Sequence, residues 1–243
     1  MITSTFAPRS PSLSNYAALA SPWARSRLRL RSRCRQLAWH WFLRRSDTTK
    51  RAFDIVGSAA ALLALAPLFL VVAFLIKLDG GPVFFMQTRV GRHGRTFRMF
   101  KFRSMCLNAE QKLRELLAQN QHATGVTFKI KDDPRVTKVG RWLRKYSVDE
   151  FPQFYNVLRG DMSLVGPRPP VPAEVAKYSL ADRRRLAVKP GLTCLWQISG
   201  RAEIDFPGQV RLDVDYIERQ SLTEDVRILL KTVPAVISGT GAY

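Results

Sequence analysis

Two adjacent carboxylates, Asp149 and Glu150, are the side chains of this sequence best suited to chemistry. Two helix starts are open beside them, since Ser147 and Glu150 match a capping box while Pro152 is a favoured first helical residue. Either start puts Asp149 at a helix N-terminus, where unpaired N–H groups bind phosphate and keep a carboxylate ionised. An ionised aspartate attacks phosphorus without a base, and a neighbouring carboxylate can hold Mg²⁺. Taken alone, the pair would more often serve only as a helix cap.

Basic residues in rigid segments follow this acidic pair in the sequence. The predicted helix ends at Gly160. Beyond it, Pro167 and Pro169 fix the backbone around Arg168, as a phosphate clamp requires. Arg201 follows a glycine and offers a second guanidinium after another rigid turn. A single arginine is more often a surface ion-pair partner, but together these groups predict a basic shell around one acidic pair.

Residues 55–76 form a run of 22 residues without a charge. A straight helix of that length reaches roughly 33 Å, enough to cross a hydrocarbon core of about 30 Å. Pro67 lies near its middle and favours a bend, while Lys/Arg-rich flanks on both sides favour the cytoplasm. We therefore favour a re-entrant helix that breaks at Pro67 and leaves by the face it entered, with a straight span as the alternative.

The charge balance predicts an anionic partner. Lys and Arg number 39 against 19 Asp and Glu, which suits nucleic acid, anionic lipid or a phosphorylated substrate. Arginines crowd the leading segment 1–46, which is either disordered or a basic, aromatic helix lying on anionic headgroups. Three widely spaced cysteines, Cys34, Cys106 and Cys194, argue for a reducing compartment and against a disulfide or zinc framework.

The rest of the chain is predicted to be α+β. Two strand-like runs, 83–87 and 97–102, predict a β-hairpin joined through the glycine-containing segment 91–94. Apolar residues then recur at helical spacing, opposite a face of Lys and Arg, at Val139, Trp142, Leu143 and Tyr146. A basic amphipathic helix of this kind either packs on a core or lies flat on a membrane surface.

A series of short motifs runs in order from residue 50 to the C-terminal region. The motifs are Lys50-Arg51-x-x-Asp54, 100–105, 133–137, Leu143-Arg144 leading into 147–153, 160–169, 190–193 and Gly200-Arg201. In these motifs the chain resembles the monotopic phosphoglycosyl transferases, bacterial sugar transferases that initiate exopolysaccharide, O-antigen and glycoprotein glycan assembly. The resemblance covers about four-fifths of the chain. It is strongest to exopolysaccharide-initiating undecaprenyl-phosphate hexose-1-phosphate transferases.

The resemblance implies a specific organisation. A re-entrant membrane helix would occupy 47–79, after a basic tail at 1–46. A cytoplasmic catalytic domain would occupy 80–243, with amphipathic interfacial helices and a small associated β-hairpin. The resemblance also implies a location among membrane lipids at the cytoplasmic face of the bacterial inner membrane.

The resemblance further implies an enzyme that moves a hexose-1-phosphate from a UDP-sugar to undecaprenyl phosphate and releases UMP. Asp149 would attack the sugar-bearing phosphate to give a covalent aspartyl phosphosugar. Glu150 would hold Mg²⁺ or assist the acceptor. The substrate-binding residues that it implies are Lys101, Arg144, Arg168 and Arg201.

Two other classes of protein stay open. A nucleic-acid-binding protein would explain the charge but not the 22-residue apolar run, so no nucleic-acid partner is predicted. A non-catalytic membrane scaffold would leave Asp149 and Glu150 as a helix cap. The sugar, the polymer that follows and the presence of a homodimer are not decided by the sequence.

Overall fold

The computed structural model describes residues 22–109, 111–112, 133–200 and 204–238, with side chains from residue 47 to residue 236. The chain divides into two compact units, Met1–Thr49 and Lys50–Tyr243. The helices are α1 Pro22–Leu78, α2 Lys138–Lys145, α3 Gln153–Arg159, α4 Pro172–Val175, α5 Phe206–Glu218 and α6 Leu222–Ser238. The strands are β1 Phe84–Val90, β2 Thr96–Phe102, β3 Ser163–Val165 and β4 Gly191–Thr193. This mixture of helices and short sheets confirms the predicted α+β class.

The segment Asp47–Leu78 of α1 is long and apolar enough, by length and composition, to cross a membrane. Only 11% of its most apolar stretch is buried, and Leu63 and Leu70 are 78% and 74% exposed. A core helix of a soluble protein would bury most of these side chains, so the exposed run favours contact with lipid. Pro67 lies inside the helix and is exposed. The break at this proline stays a prediction.

Buried polar contacts tie the start of this apolar run to the rest of its unit. Oδ1 of Asp54 accepts hydrogen bonds from the Ser163 hydroxyl and the Leu164 amide, both at 3.0 Å. Arg51 donates to two carbonyls at the C-terminal end of α3, both at 2.6 Å. Those carbonyls are among the groups that a helix end leaves without partners. The motif Lys50-Arg51-x-x-Asp54 therefore seats α1 on β3 and α3.

Removing the Asp54 carboxylate is expected to destabilise this seat. In Asp54→Ala two buried donors lose their acceptor, at a cost of about 1–3 kcal/mol each. Asp54→Asn keeps an acceptor oxygen and serves as the matched control. The midpoint of thermal unfolding in detergent should fall clearly for Asp54→Ala and much less for Asp54→Asn. An Asp54→Ala midpoint equal to that of the wild type would contradict this role.

The far end of the apolar run packs against the same unit. Val72 and Ile76 are buried in a core cluster whose other buried members are Phe102, Leu143 and Val148. Arg103, just after β2, donates from Nη2 to the Ile76 carbonyl at 2.9 Å. Between the two ends, all of residues 59–71 are partly or fully exposed. Both ends of the run therefore contact one compact unit, while no residue of its middle is buried.

Strands β1 and β2 form the predicted hairpin, with Phe84 opposite Phe102 and Val90 opposite Thr96. Both strands extend further towards the connecting turn than the sequence indicated. That turn, Arg92–Gly94, contains His93 in the left-handed region at φ 57°. Side chains alternate along a strand, so every second residue of each strand lies on the same face of the hairpin. This alternation decides which side chains reach the site described below.

A second sheet lies deeper in the unit. Strands β3 and β4 pair in parallel, with Ser163 opposite Gly191 and Val165 opposite Thr193. A Cβ atom on Gly191 would lie 2.0 Å from the Gly166 nitrogen, so only glycine permits this backbone approach. The buried side chains of the surrounding core include Met99, Val157, Met162, Leu164 and Ile228.

Helix α2 confirms the predicted amphipathic helix. The Thr137 side chain caps its start by accepting a hydrogen bond from the Gly140 amide at 2.9 Å. Leu143 is fully buried in the cluster with Val72, whereas Trp142 is 46% exposed. The helix therefore has one face in the core and an aromatic residue at the surface.

Candidate active site

The acidic pair lies in a short 3₁₀ turn, Val148–Glu150, between α2 and α3. Ser147 takes the left-handed conformation at φ 54°, and its amide donates to the Arg144 carbonyl at 3.0 Å. This residue therefore closes α2 rather than opening the next helix, and the predicted capping box is wrong. Helix α3 begins at Gln153, directly after Pro152, which is close to the second predicted start. Asp149 precedes α3 and does not lie in its first turn.

Packing fixes this turn against α1. Val148 is 4% exposed and lies in the cluster with Val72 and Ile76. The next residue, Asp149, is 7% exposed. Helix α3 ends at Gly160, as predicted, with φ 98°. The carboxylates therefore lie where the apolar run of α1 meets the folded unit.

Lys101 of β2 joins the two carboxylates. Its ammonium nitrogen Nζ lies 2.6 Å from Oε1 of Glu150 and 3.9 Å from Oδ2 of Asp149. The side chains of all three residues are 10–23% exposed, so water screens their charges only weakly. The structure thus brings three of the predicted site residues into one ion cluster, Lys101–Glu150–Asp149.

The surroundings push the pKa values of the two carboxyls apart. Burial, partly offset by Lys101, raises the pKa of Asp149 above its usual range. Burial acts in the same sense on Glu150, but attraction to Lys101 and Arg168 outweighs it and lowers the pKa of Glu150. Two carboxyls with separated pKa values are suited to separate roles. A poorly hydrated Asp149 is the better nucleophile, and an ionised Glu150 is the better ligand for cations.

Two predicted arginines also lie at this site. Arg144 donates from Nε to the Ser104 hydroxyl at 3.0 Å. Burial lowers the pKa of Arg144, and attraction to Asp149 acts against that change. Arg168 projects from between two buried prolines, with its guanidinium carbon 5.9 Å from the centre of the Trp196 ring. The ring and the fixed backbone limit its freedom, as a phosphate clamp requires.

Arg89 of β1 is a candidate that the sequence prediction missed. It is 8% exposed, and its guanidinium donates to the Pro169 carbonyl at 2.9 Å and to Oε1 of Gln87 at 2.7 and 3.1 Å. Burial and the neighbouring Arg168 charge lower its pKa to about 10. The predicted strand ended at Gln87. Continuing the strand alternation by two residues would have put Arg89 on the face that carries Lys101.

An open cavity adjoins the ion cluster, and its volume of about 240 Å³ includes space open to solvent. Its polar lining includes Arg89, Lys101, Glu150, Gln153, Arg168 and Gln197. Three cations against one carboxylate make this lining positive, which favours a polyanionic ligand such as a diphosphate. Arg201, also predicted for this site, lies outside the described residues. Its role therefore stays a prediction.

Fold and site together define a protein with a cationic cavity beside an acidic pair and with a helix of membrane-spanning length. The chain belongs to the bacterial sugar transferase family, whose model matches residues 45–239. It is 53% identical over 194 residues to the galactosyl transferase CpsE of Streptococcus agalactiae. It is 46% identical over 203 residues to the undecaprenyl-phosphate galactose phosphotransferase of Salmonella typhimurium. It is also 46% identical over 199 residues to the exopolysaccharide production protein ExoY of Sinorhizobium fredii.

The extent of these matches differs between the relatives. They cover 79%, 82% and 80% of this chain, respectively. The chain spans 43% of the length of each of the first two relatives and 88% of the third. The family predicted from the ordered motifs is therefore confirmed.

Proposed function

We propose that this protein is an undecaprenyl-phosphate sugar-1-phosphate transferase. It moves a hexose-1-phosphate from a UDP-sugar to undecaprenyl phosphate and releases UMP, as the first step of exopolysaccharide or related glycan synthesis. The observation that carries the proposal is the Lys101–Glu150–Asp149 ion cluster beside the apolar run of α1, two of whose members, Lys101 and Glu150, line a cationic cavity. The relatives named undecaprenyl-phosphate galactose and glucose phosphotransferases support the substrate classes.

In the first step a carboxylate oxygen of Asp149 attacks the phosphorus that bears the sugar. A P–O bond forms to Asp149 as the P–O bond to the UMP portion breaks, and UMP leaves with the electron pair. Lys101, 3.9 Å away, favours the ionised form of Asp149, while burial leaves that anion poorly hydrated and reactive. Arg89 and Arg168 line the cavity and offset the charge that the departing phosphate gains.

In the second step a phosphate oxygen of undecaprenyl phosphate attacks the same phosphorus. The bond to Asp149 breaks, the carboxylate is restored, and the product is a lipid diphosphate sugar. A phosphate monoester is already anionic at neutral pH, because its second pKa is roughly 6. Glu150 therefore serves to hold and orient cations at the phosphates, beginning with Lys101 at 2.6 Å.

The acidic pair also fits a Mg²⁺ ion that is shared with the substrate. Mg²⁺ at phosphate sites takes one or two carboxylates and completes its shell with phosphate oxygens and water. In the part of the chain that the structure describes, no group of three or more His, Cys, Asp or Glu is placed to hold a metal ion by itself. Glu150 would hold the ion, which when bound neutralises charge on the diphosphate.

We further propose that residues 47–79 form a re-entrant membrane helix. Both ends of the apolar run bind one compact unit, Asp54 through β3 and Ile76 through Arg103. A straight crossing would put these ends on opposite sides of a hydrocarbon core of about 30 Å. Pro67 lies between them and removes one helical hydrogen bond, which favours a bend there. This topology puts the ion cluster at the cytoplasmic face of the inner membrane.

Helix α2 supports the same placement. Its exposed residues are Lys138, Arg141, Trp142 and Lys145. Lysine and arginine beside an exposed tryptophan are typical of a helix that lies on anionic headgroups. We therefore propose that membrane lipids contact this face of α2.

The topology is testable with single cysteines at Thr48 and Asp79 in a background without the native cysteines. Both positions should react with a membrane-impermeant maleimide only from the cytoplasmic side, in inverted vesicles but not in intact spheroplasts. Pro67→Leu restores a helical hydrogen-bond donor and removes the cause of the bend, so it should favour a straight span. Periplasmic labelling of either position in the protein that retains Pro67 would show that the re-entrant topology is wrong.

The activity itself is testable by UMP release. The purified protein in detergent is incubated with Mg²⁺, undecaprenyl phosphate and either UDP-glucose, UDP-galactose or a UDP-N-acetylhexosamine. We expect sustained UMP release and a lipid-soluble sugar product with at least one donor, and turnover that stops when the lipid is omitted. If none of these donors supports UMP release, the proposed function is contradicted.

A further inference from the structure

Phe85 of β1 lies beside Lys101 on the face of the hairpin that turns towards the cavity. The two residues are directly opposite in the strand pairing. Opposed residues of an antiparallel pair share a face, with their Cβ atoms about 5 Å apart. The same face carries Met99 and Arg89, both of which line the cavity. Phe85 therefore lies level with Lys101, at the end of this row of cavity residues.

Phe85 is exposed although it adjoins this partly buried ion cluster. Phe85 is 44% exposed, so an apolar surface is open directly across the strand pair from Lys101. An exposed aromatic residue beside a positive site is suited to a ligand with an apolar part and an anionic part. The position thus has both kinds of surface within one cross-strand pair.

The two ends of this row of cavity residues lie at opposite ends of the hairpin. Arg89 lies near the turn of the hairpin, whereas Phe85 lies at the other end, where the hairpin meets α1. There, on the opposite face of the hairpin, Phe102 packs against Val72 and Ile76 of the apolar run. Along the strands, Phe85 and Lys101 therefore lie at the end of the row that is nearer to α1.

We propose that Phe85 seats the first isoprenoid units of the lipid phosphate acceptor while Lys101 contacts its phosphate. This inference rests on the proposed function and adds the position of the acceptor. The acceptor is the reactant that combines a phosphate with a long apolar chain, and that chain must lead from Asp149 back to the membrane. The charge of Lys101 matches the phosphate, and the exposed Phe85 lies directly across the strand pair from Lys101, at the end of the hairpin that packs on α1.

The two half-reactions allow this seat to be tested separately from donor binding. Phe85→Ala removes the apolar surface and should raise the KM for undecaprenyl phosphate roughly tenfold, because about half of the side chain is available for a ligand to cover. The rate at which the UDP-sugar alone forms the covalent adduct, and the KM for the UDP-sugar, should stay at wild-type values. Phe85→Leu keeps an apolar side chain and should restore most of the acceptor affinity.

Met86→Ala is the matched control. Met86 is the next residue of β1 and is 49% exposed, but it faces the opposite side of the hairpin, across from Phe100. Its acceptor KM should match that of the wild type. Intact adduct formation in Phe85→Ala also shows that this variant is folded, so a raised acceptor KM is not a consequence of unfolding.

Three results would overturn the inference. Slower adduct formation or a raised UDP-sugar KM in Phe85→Ala would place the uridine, not the lipid, on Phe85. If Met86→Ala raises the acceptor KM as much as Phe85→Ala does, the effect comes from general contact of β1 with the membrane and not from a seat at Phe85. An unchanged acceptor KM in Phe85→Ala would leave the lipid elsewhere. If the wild-type protein forms no adduct, the proposed function fails first and takes this inference with it.

Discussion

Replacing Asp149 by asparagine is expected to lower turnover by at least about a thousandfold, a scale consistent with loss of a nucleophile. The substitution removes the attacking anion while barely changing the size or polarity of a buried side chain. Binding of the nucleotide sugar should persist, because Lys101, Arg89 and Arg168 remain in the cavity. Glu150→Gln should also be severe, but it keeps Asp149 and should still form some covalent intermediate.

The comparison needs turnover and binding measured on the same preparations. Turnover is followed as UMP release, and donor binding is followed by titration calorimetry without the lipid acceptor. Asp215→Asn is the control, because Asp215 is a carboxylate of α5 that pairs with the exposed Arg219 at 3.0 Å. This control should keep wild-type turnover. Turnover of Asp149→Asn within about tenfold of the wild type would show that Asp149 is not the nucleophile.

The second large effect is expected from Arg168→Lys. Lysine keeps the charge but loses the planar fork that binds two phosphate oxygens and stacks on a ring such as Trp196. Loss of charge-assisted hydrogen bonds worth about 1.5–3 kcal/mol corresponds to a kcat/KM for the UDP-sugar that is roughly 10- to 100-fold lower. Because Pro167 and Pro169 fix the backbone, a backbone shift cannot compensate for the lost fork.

Arg219→Lys is the matched control for that substitution. The side chain of Arg219 is 75% exposed and pairs with Asp215 at the C-terminal end of α5. Replacing Arg219 should therefore leave kcat/KM unchanged, because an exposed ion pair contributes little. A value for Arg168→Lys equal to that of Arg219→Lys would mean that Arg168 contributes only its charge. The clamp inferred from the proline-flanked arginine would then be wrong.

Short-range patterns predicted the elements that position the site. The glycine-containing turn and the flanking apolar runs predicted the hairpin, and the spacing of Val139, Trp142 and Leu143 predicted α2. Gly160 ends α3 as expected, because a glycine accepts the φ of 98° that closes the helix. These features depend on residues a few positions apart, and such signals are visible in one sequence.

The turn that carries the acidic pair had no comparable signal. Ser147 adopts a left-handed conformation that glycine, asparagine or aspartate would have indicated. Its conformation accompanies the packing of Val148 on Val72 and Ile76, residues more than 70 positions earlier in the chain. Such contacts become visible only once α1 is folded onto the unit, so the sequence left a capping box open as one of two helix starts.

Long-range partners were likewise outside the reach of local patterns. Lys101 entered the prediction only through the family resemblance, because its contact with Glu150 depends on how the hairpin packs against the turn. Lys50 forms a partly buried ion pair with Asp225, a partner 175 residues away. Arg89 was missed for a different reason, since its strand was predicted to end two residues too early.

The most direct test of the central claim is mass spectrometry of the intact protein after incubation with the UDP-sugar and Mg²⁺ but without undecaprenyl phosphate. We expect a mass increase of one hexose phosphate, which peptide mapping assigns to Asp149. Addition of undecaprenyl phosphate should discharge this adduct, and Asp149→Asn should never carry it. A wild-type protein that turns over without forming the adduct, or an adduct mapped to another residue, would contradict the covalent mechanism.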